Sequence, residues 1–279
     1  MIIIHEDQVV AAREGNRAAL DALVRSAQRP IYNLALRMLA DPASAEDATQ
    51  EILIRIITNL GSLRDPGAAG GWALRIACRH LVELRKQSRT ESMRLSFEGF
   101  AEDLEQGRAP LSDAGLSKVE EAIALEQVKI GCTMALLTCL SRNLRIAYIL
   151  GEIFELTDGE AAKALDIAQS AFRQRLKRAR VAVLDFTRVK CGIASRSASC
   201  HCSQRVAPAL KAGRIGTDGA NIRNEKGQPL DLQRLQDGVQ RLESGRAAAA
   251  LMRSNPDFDI DLMPRLMRSL VPEFGPNAG

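Results

Sequence analysis

Apolar residues recur at helical spacing from Leu20, Leu23 and Val24 through Ile31, Leu34, Ala35, Met38 and Leu39, which predicts two helices meeting near Pro30. Asp41-Pro42 breaks that pattern. Ser44 followed by Asp47 has the spacing of a capping box and predicts a third helix, with Ala48, Ile52, Ile56 and Leu60 as its apolar stripe. Its other face carries Asp47, Gln50, Glu51, Arg55 and Asn59. A Gly/Pro-rich stretch over 65–71 then interrupts before a fourth helix from about Trp72 to Gln87. These elements predict a helical domain over 1–90. Across 91–118 the composition shifts to Ser, Glu, Gly, Asp and Pro without a period, which reads as a flexible linker. A second helical domain is expected over 119–187, with Leu136, Leu137, Leu140, Leu144, Ala147, Tyr148 and Ile149 in its core. Residues 188–279 form an extension that opens on clustered cysteines and continues into helical patterns at 231–253 and 260–270. The fold class is therefore all-α: two helical domains, a linker and a mainly helical C-terminal extension.

The sharpest local pattern closes the second domain. Thr157-Asp158-Gly159-Glu160 is a capping box, Ala161, Ala162 and Leu165 give a short helix one small apolar face, and Asp166-Ile167-Ala168 makes a turn. In the next helix, from about Gln169 to Phe186, Phe172, Leu176, Ala179 and Val183 point inward at spacings of four, three and four. Ser170, Arg173, Gln174, Lys177 and Arg178 fall on the opposite face. Five basic residues, Arg173, Arg175, Lys177, Arg178 and Arg180, occupy eight positions without an acid. A solvated helix face would also be charged. The tight two-helix spacing instead predicts a helix-turn-helix, in which Gln169, Ser170, Arg173, Gln174, Lys177 and Arg178 read base edges and neutralise phosphates.

Composition adds limits. With aromatic residues at 4%, the cores must be built from Leu, Ile, Val and Ala, as in packed helices. A net charge of +4 is too mild to identify a polyanion ligand, so the local clusters decide. The first residues lack a cationic leader, and no apolar run approaches the roughly 18 residues of a membrane span, so a cytoplasmic location is expected. Six cysteines then read as reduced thiols or metal ligands rather than a disulfide framework. A phosphate-cradling GxxxxGK[ST], a carboxylate pair and a nucleophile motif do not stand out, which argues against an enzyme.

Two blocks resemble the bacterial sigma-70 family, specifically its extracytoplasmic-function class. Asp47-Ala48-Thr49-Gln50-Glu51-Ile52-Leu53-Ile54-Arg55-Ile56 is similar to the family's core-polymerase-binding helix, and Trp72-Ala73-Leu74-Arg75-Ile76-Ala77 to its promoter-melting helix. The stretch from Ala161 to Arg180 resembles the domain that reads the upstream promoter element. The resemblance covers about 15–187. It implies that Asp47, Gln50, Glu51 and Arg55 contact polymerase, and that Trp72, Arg75, Arg79, His80, Arg85 and Lys86 contact the downstream element, where a base is flipped from the duplex. The chain departs from the family in the loop before Trp72, which offers Gly and Ala instead of an aromatic and polar residues. The implied function is a transcription initiation factor that binds core RNA polymerase and promoter DNA and needs no cofactor.

In the extension, Cys191, Cys200, His201 and Cys202 supply soft ligands of the kind zinc or copper(I) prefers, with Cys132 and Cys139 either completing the set or serving as small core residues. Three adjacent ligands can hardly all turn inward. Control in cis by this extension is a further expectation, as is a regulatory partner. Two rival readings predict different behaviour: a helix-turn-helix regulator with a metal- or redox-sensing tail binds duplex tightly without polymerase, and a protein-interaction module is indifferent to loss of Arg173 and Lys177.

Overall fold

The computed structural model describes residues 2–87, 95–216, 232–240, 244–263 and 265–266. They form an all-α protein: among the described residues the sole extended pairing is an isolated bridge between Cys191 and Cys200. The chain divides into two compact units. The first holds Met1–Ser88, Phe154–Arg173 and Phe258–Gly279, and the second holds Arg89–Ile153 and Gln174–Asp257. Both units thus draw on segments far apart in sequence, whereas the reading by composition divides the chain into successive blocks.

In the first unit α1 (Glu6–Arg13), α2 (Arg17–Leu39), α3 (Pro42–Thr58) and α4 (Ala69–Gln87) pack together. The two helices expected over residues 20–39 are one. Pro30 lies inside α2, where its missing N–H costs about 3 kcal/mol in a helix interior. Ala27, Gln28, Ile31 and Tyr32 on either side are buried, so packing carries the helix through. Helix α3 starts earlier than expected: Asp41, not Ser44, is its N-cap, accepting the Ser44 N–H at 2.8 Å, and Pro42 takes the first turn, where it loses no hydrogen bond. Helix α4 likewise starts at Ala69 rather than near Trp72. Gly70 is required there, because a Cβ would stand well inside 3.0 Å of the Ile2 carbonyl oxygen, where the buried N-terminal segment crosses the start of α4.

The second unit contains α5 (Phe97–Gln106), α6 (Lys118–Cys139) and α7 (Arg142–Tyr148). Where composition predicts a flexible linker, α5 is an ordered helix. Ser96 caps it through the Gly99 N–H, and Phe97 and Phe100 pack on Phe186 with ring centroids 5.6 and 5.2 Å apart. Phe97, Phe100 and Leu104 form a helical stripe that the surrounding Gly, Asp and Glu dilute in any average. Helix α6 bears on the expectation about membranes. It is long and apolar enough to cross one by length and composition, but 56% of that stretch is buried within the protein. The extension adds α10 (Ser203–Lys211), α11 (Leu232–Gln240) and α12 (Ser244–Arg253), after α8 (Asp158–Leu165) and α9 (Gln169–Lys190), which belong to the site below.

Candidate nucleic-acid and polymerase interface

Helix α8 (Asp158–Leu165) opens on the expected capping box: the Glu160 N–H donates to Thr157 Oγ1 at 3.3 Å and the Thr157 N–H to Glu160 Oε2 at 2.9 Å. The hydrogen bond from Thr157 holds the Glu160 carboxyl below its usual range. Asp166 ends α8 in the left-handed region with φ 55°, which an Asp tolerates better than most residues. That reversal lets α9 (Gln169–Lys190) begin three residues later. Along α9, Phe172, Leu176, Ala179 and Val183 are buried, and Gln169, Ser170, Arg173, Gln174, Lys177 and Arg178 are exposed. Arg173 pairs with Asp158 at 3.3 Å, which ties the first turn of α9 to the first turn of α8. Most of these donors stay on the solvent side, as base-edge contacts need.

On α3, Asp47, Glu51 and Arg55 are exposed and Gln50 is half-buried, so the residues expected to meet polymerase share a surface. Glu51 and Arg55 face each other at 3.8 Å, one turn apart. Asp47 is engaged by the C-terminal segment. Arg265 reaches Glu46 at 3.2 Å and Asp47 at 3.0 Å. The same segment is stitched to α2 by two side-chain amides. Asn33 donates to the Phe258 carbonyl at 2.8 Å and accepts the Phe258 N–H at 3.0 Å. Gln28 donates to the Ile260 carbonyl and accepts the Leu262 N–H at 2.9 Å. Leu262 and Leu266 are buried.

On α4 the expected DNA contacts separate. Arg75 and Arg79 are exposed and turned to α8, Arg75 donating to the Lys163 carbonyl at 3.1 Å and Arg79 pairing with Asp166 at 3.5 Å. Trp72 is half-buried. His80 departs from expectation: it is 7% exposed, with Nε2 3.6 Å from Glu51. Burial lowers its pKa, the Arg55 charge adds to this, and Glu51 opposes it. In this arrangement His80 is a partner of α3 and not a phosphate contact. Arg85 and Lys86 are helical, but their side chains lie outside the described residues.

The cysteines also separate. Cys132, Cys191, Cys200 and Cys202 line one cavity of about 450 Å³ in the second unit. His201 is exposed and lies against Gly192, where a Cβ would meet its Nδ1 at 2.8 Å, and it lines a different, smaller cavity. Cys139 is a core residue whose Sγ lies 3.5 Å from the Ala135 carbonyl. Among the described residues, no three His, Cys, Asp or Glu side chains stand at metal-holding geometry. The sequence motif groups His201 with three thiols, whereas the larger cavity is lined by those three and Cys132 of α6.

Residues 23–90, spanning most of α2 through α4, match the Sigma-70 region 2 family. Over 176 residues the chain is 27% identical to the ECF RNA polymerase sigma factor SigE of Mycolicibacterium smegmatis, covering 62% of this chain and 64% of that protein. Over 175 residues it is 26% identical to the ECF RNA polymerase sigma factor SigC of Mycobacterium tuberculosis and to the probable RNA polymerase sigma-C factor of Mycobacterium bovis, covering 63% of this chain and 86% of each. The chain is thus similar to the Sigma-70 region 2 family over residues 23–90 and, at 26–27% identity, to extracytoplasmic-function RNA polymerase sigma factors, of the first of which it spans 64% of the length.

Proposed function

We propose that this protein is a transcription initiation factor that joins core RNA polymerase through the exposed face of α3 and reads the upstream promoter duplex with α9. It acts by binding, not by catalysis, and needs no cofactor for that. The observation that carries the reading is the division of α9 into a buried apolar stripe and an exposed face of Gln169, Ser170, Arg173, Gln174, Lys177 and Arg178, directly after a capped helix and a three-residue turn. Arg and Gln suit base edges and the neighbouring cations suit phosphates. Trp72, Arg75 and Arg79, with Arg85 and Lys86 further along α4, are assigned to the downstream element, and Asp47, Gln50, Glu51 and Arg55 to polymerase. The site of action is the cytoplasm.

The C-terminal segment is assigned a regulatory role in cis. Arg265 pairs with Glu46 and Asp47 on α3, so on this reading the segment and polymerase compete for Asp47. In vitro transcription with core polymerase tests the whole reading. Arg173→Ala and Lys177→Ala should each reduce promoter affinity, and each lost phosphate contact should flatten the salt dependence of binding by about 0.9 in log–log slope. Tight, specific duplex binding without core enzyme would favour a conventional regulator. Full activity in the double variant would sink the DNA-reading assignment.

A further inference from the structure

The second unit contains a cavity of about 450 Å³ that promoter reading does not use. Its walls come mainly from α5, α6, the last turns of α9, and α10 with the turns on either side of it. That volume falls within the range of about 300–1,000 Å³ typical of sites for small organic molecules. We propose that the cavity binds a free amphipathic monocarboxylate, with its hydrocarbon chain along α6 and its carboxylate at Lys190 and Arg214.

Three observations support this. The first is the face that α6 turns to the cavity. Val128, Gly131, Cys132, Ala135 and Leu136 follow the helical repeat that elsewhere marks a core. The middle of this stripe is left uncovered: Gly131 is exposed, and Cys132 and Ala135 are half-buried. Gly131 has no positive φ, and among the described residues a Cβ there would meet no atom within 4 Å. The helix thus carries the entropic cost of an interior glycine without a close neighbour that requires one. What the glycine does is keep the cavity open along α6.

The second observation is that the cavity has an apolar part and a charged part. On α5, Phe100 is followed one turn later by Asp103, and on α9 Phe186 is followed one turn later by Lys190; all four line the cavity. Phe100 and Phe186 stack with ring centroids 5.2 Å apart and planes inclined by 3°. One turn further along both helices, Lys190 of α9 pairs with Glu105 of α5. A hydrocarbon chain with a polar head matches that division.

The third is the charge at the polar part. Lys190, Arg205 and Arg214 line the cavity together with Asp103, which accepts from Arg205 at 2.7 Å and from Arg214 at 3.0 Å. With Glu105 counted, two carboxylates face three cations, and one positive charge is left for a monoanion to balance. Arg205 is committed to the fold. Its Nη1 also donates to the Asp103 carbonyl at 2.8 Å and to the Gly107 carbonyl, closing the C-terminal end of α5, and a Cβ on Gly107 would collide with it. Among the described residues Arg214 bonds only to Asp103, and its side chain is 58% exposed. It is therefore able to turn to a ligand while Arg205 keeps Asp103 paired.

Binding at this cavity is independent of promoter reading, so the test needs neither DNA nor polymerase. The full-length chain is titrated by calorimetry with decanoate, decanol and decyltrimethylammonium, each below its micelle-forming concentration. Decanoate should bind saturably at one molecule per chain. Decanol should bind about 10-fold more weakly or worse, as loss of a charge-assisted contact requires, and the cation should show no saturable binding. Bound decanoate should also slow alkylation of Cys132. Gly131→Leu should abolish decanoate binding while its Tm stays at or above that of the wild type, because the new side chain enters open space and the helix gains propensity. Arg214→Gln should weaken decanoate about 10-fold and leave decanol unchanged. Each of the following would overturn the site: no saturable decanoate binding, decanol or the cation binding as tightly as decanoate, alkylation of Cys132 indifferent to decanoate, unchanged decanoate affinity in either variant, or a lower Tm for Gly131→Leu, which would show that this face of α6 is covered.

Discussion

Replacing Leu262 by Ala should release the C-terminal segment from α2 and α3 and raise affinity for core polymerase. Leu262 and Leu266 are 2% and 1% exposed, and a fully buried leucine contributes about 1.5–3 kcal/mol. The amide hydrogen bonds of Gln28 and Asn33 contribute about 0.5–1.5 kcal/mol each. The pairs of Arg265 with Glu46 and Asp47 join side chains 40–67% exposed, so they contribute only about 0–1 kcal/mol. These terms amount to roughly 5–13 kcal/mol. Ordering the eight described residues of the segment opposes them with about 1–2 kcal/mol per residue. The two sides nearly cancel, and the segment is held by a few kcal/mol at most. Leu262→Ala, at the low end of core truncations because the segment is peripheral, removes about 2–3 kcal/mol. That shifts the closed-to-open ratio by about 30- to 150-fold. Hydrogen exchange of the peptide over 258–266 reads the opening, and fluorescence anisotropy against core polymerase reads its consequence. Affinity should rise toward that of a chain ending at Asp257. Opened exchange together with unchanged core affinity in both variants would refute control in cis.

Two further expectations concern stability. His80 is held neutral in the fold by burial, so its folded pKa lies below the ordinary 6.5. A group with a depressed folded pKa contributes stability above pH 6.5 that is lost as pH falls through the folded value. The urea midpoint should therefore drop more between pH 7.5 and 5.5 in the wild type than in His80→Gln; parallel drops would show that His80 is not the titrating group. Gly70→Ala should cost about 1–3 kcal/mol by thermal or urea denaturation, because the new methyl collides with the Ile2 carbonyl. Gly71→Ala, with open space at its Cβ, should instead be neutral or stabilise by up to about 1 kcal/mol. Equal effects at the two positions would contradict the close approach of the N-terminal segment.

What the sequence made legible was whatever depended on local periodicity. The two faces of α9 and the capping box of α8 could be read directly, because burial on a helix follows the 3.6-residue repeat and a cap needs only three residues of spacing. Helix α1 leaves little trace in the sequence because Val9 is its single buried residue, and α5 is masked by the polar residues around three apolar ones. Pro30 misled because a proline's local penalty is smaller than the packing on both sides of it. His80 reads as a cation on a basic helix until Glu51 and Arg55 on α3 are placed beside it, and no pattern within α4 carries that information. Nothing in the spacing of Cys191, Cys200, His201 and Cys202 shows that the larger cavity beside them takes in Cys132 of α6 and leaves His201 out. The pattern at 260–270 contains the buried Leu262 and Leu266, but the amides of Gln28 and Asn33 that fix the segment on α2 leave no hydrophobic pattern.

On the proposed function, the contacts between α4 and α8 bear on why the protein should need polymerase to read DNA. Arg75 and Arg79, assigned to the downstream element, are engaged with the last turn of α8 just before α9 begins. These polar contacts are weak. Arg79 and Asp166 are 75% and 66% exposed and 3.5 Å apart, so the pair contributes about 0–1 kcal/mol, and the Arg75 hydrogen bond adds about 0.5–1.5 kcal/mol. Phosphates can displace both. The rest of the packing between the two helices is different in kind: Trp72 and Ile76, on the same side of α4 as Arg79, are half-buried, and Ala161 and Ala162 on α8 are buried. Separating them re-exposes that surface with no compensating contact from DNA, whose backbone offers only charge. A conformational equilibrium moves only as far as a ligand's differential affinity for the two states. DNA contributes the electrostatic part, and the apolar part must come from a partner with a large protein surface. On the proposed function, core polymerase bound to α3, which packs directly on α4, would supply it, and weak promoter binding by the free protein is the expected consequence.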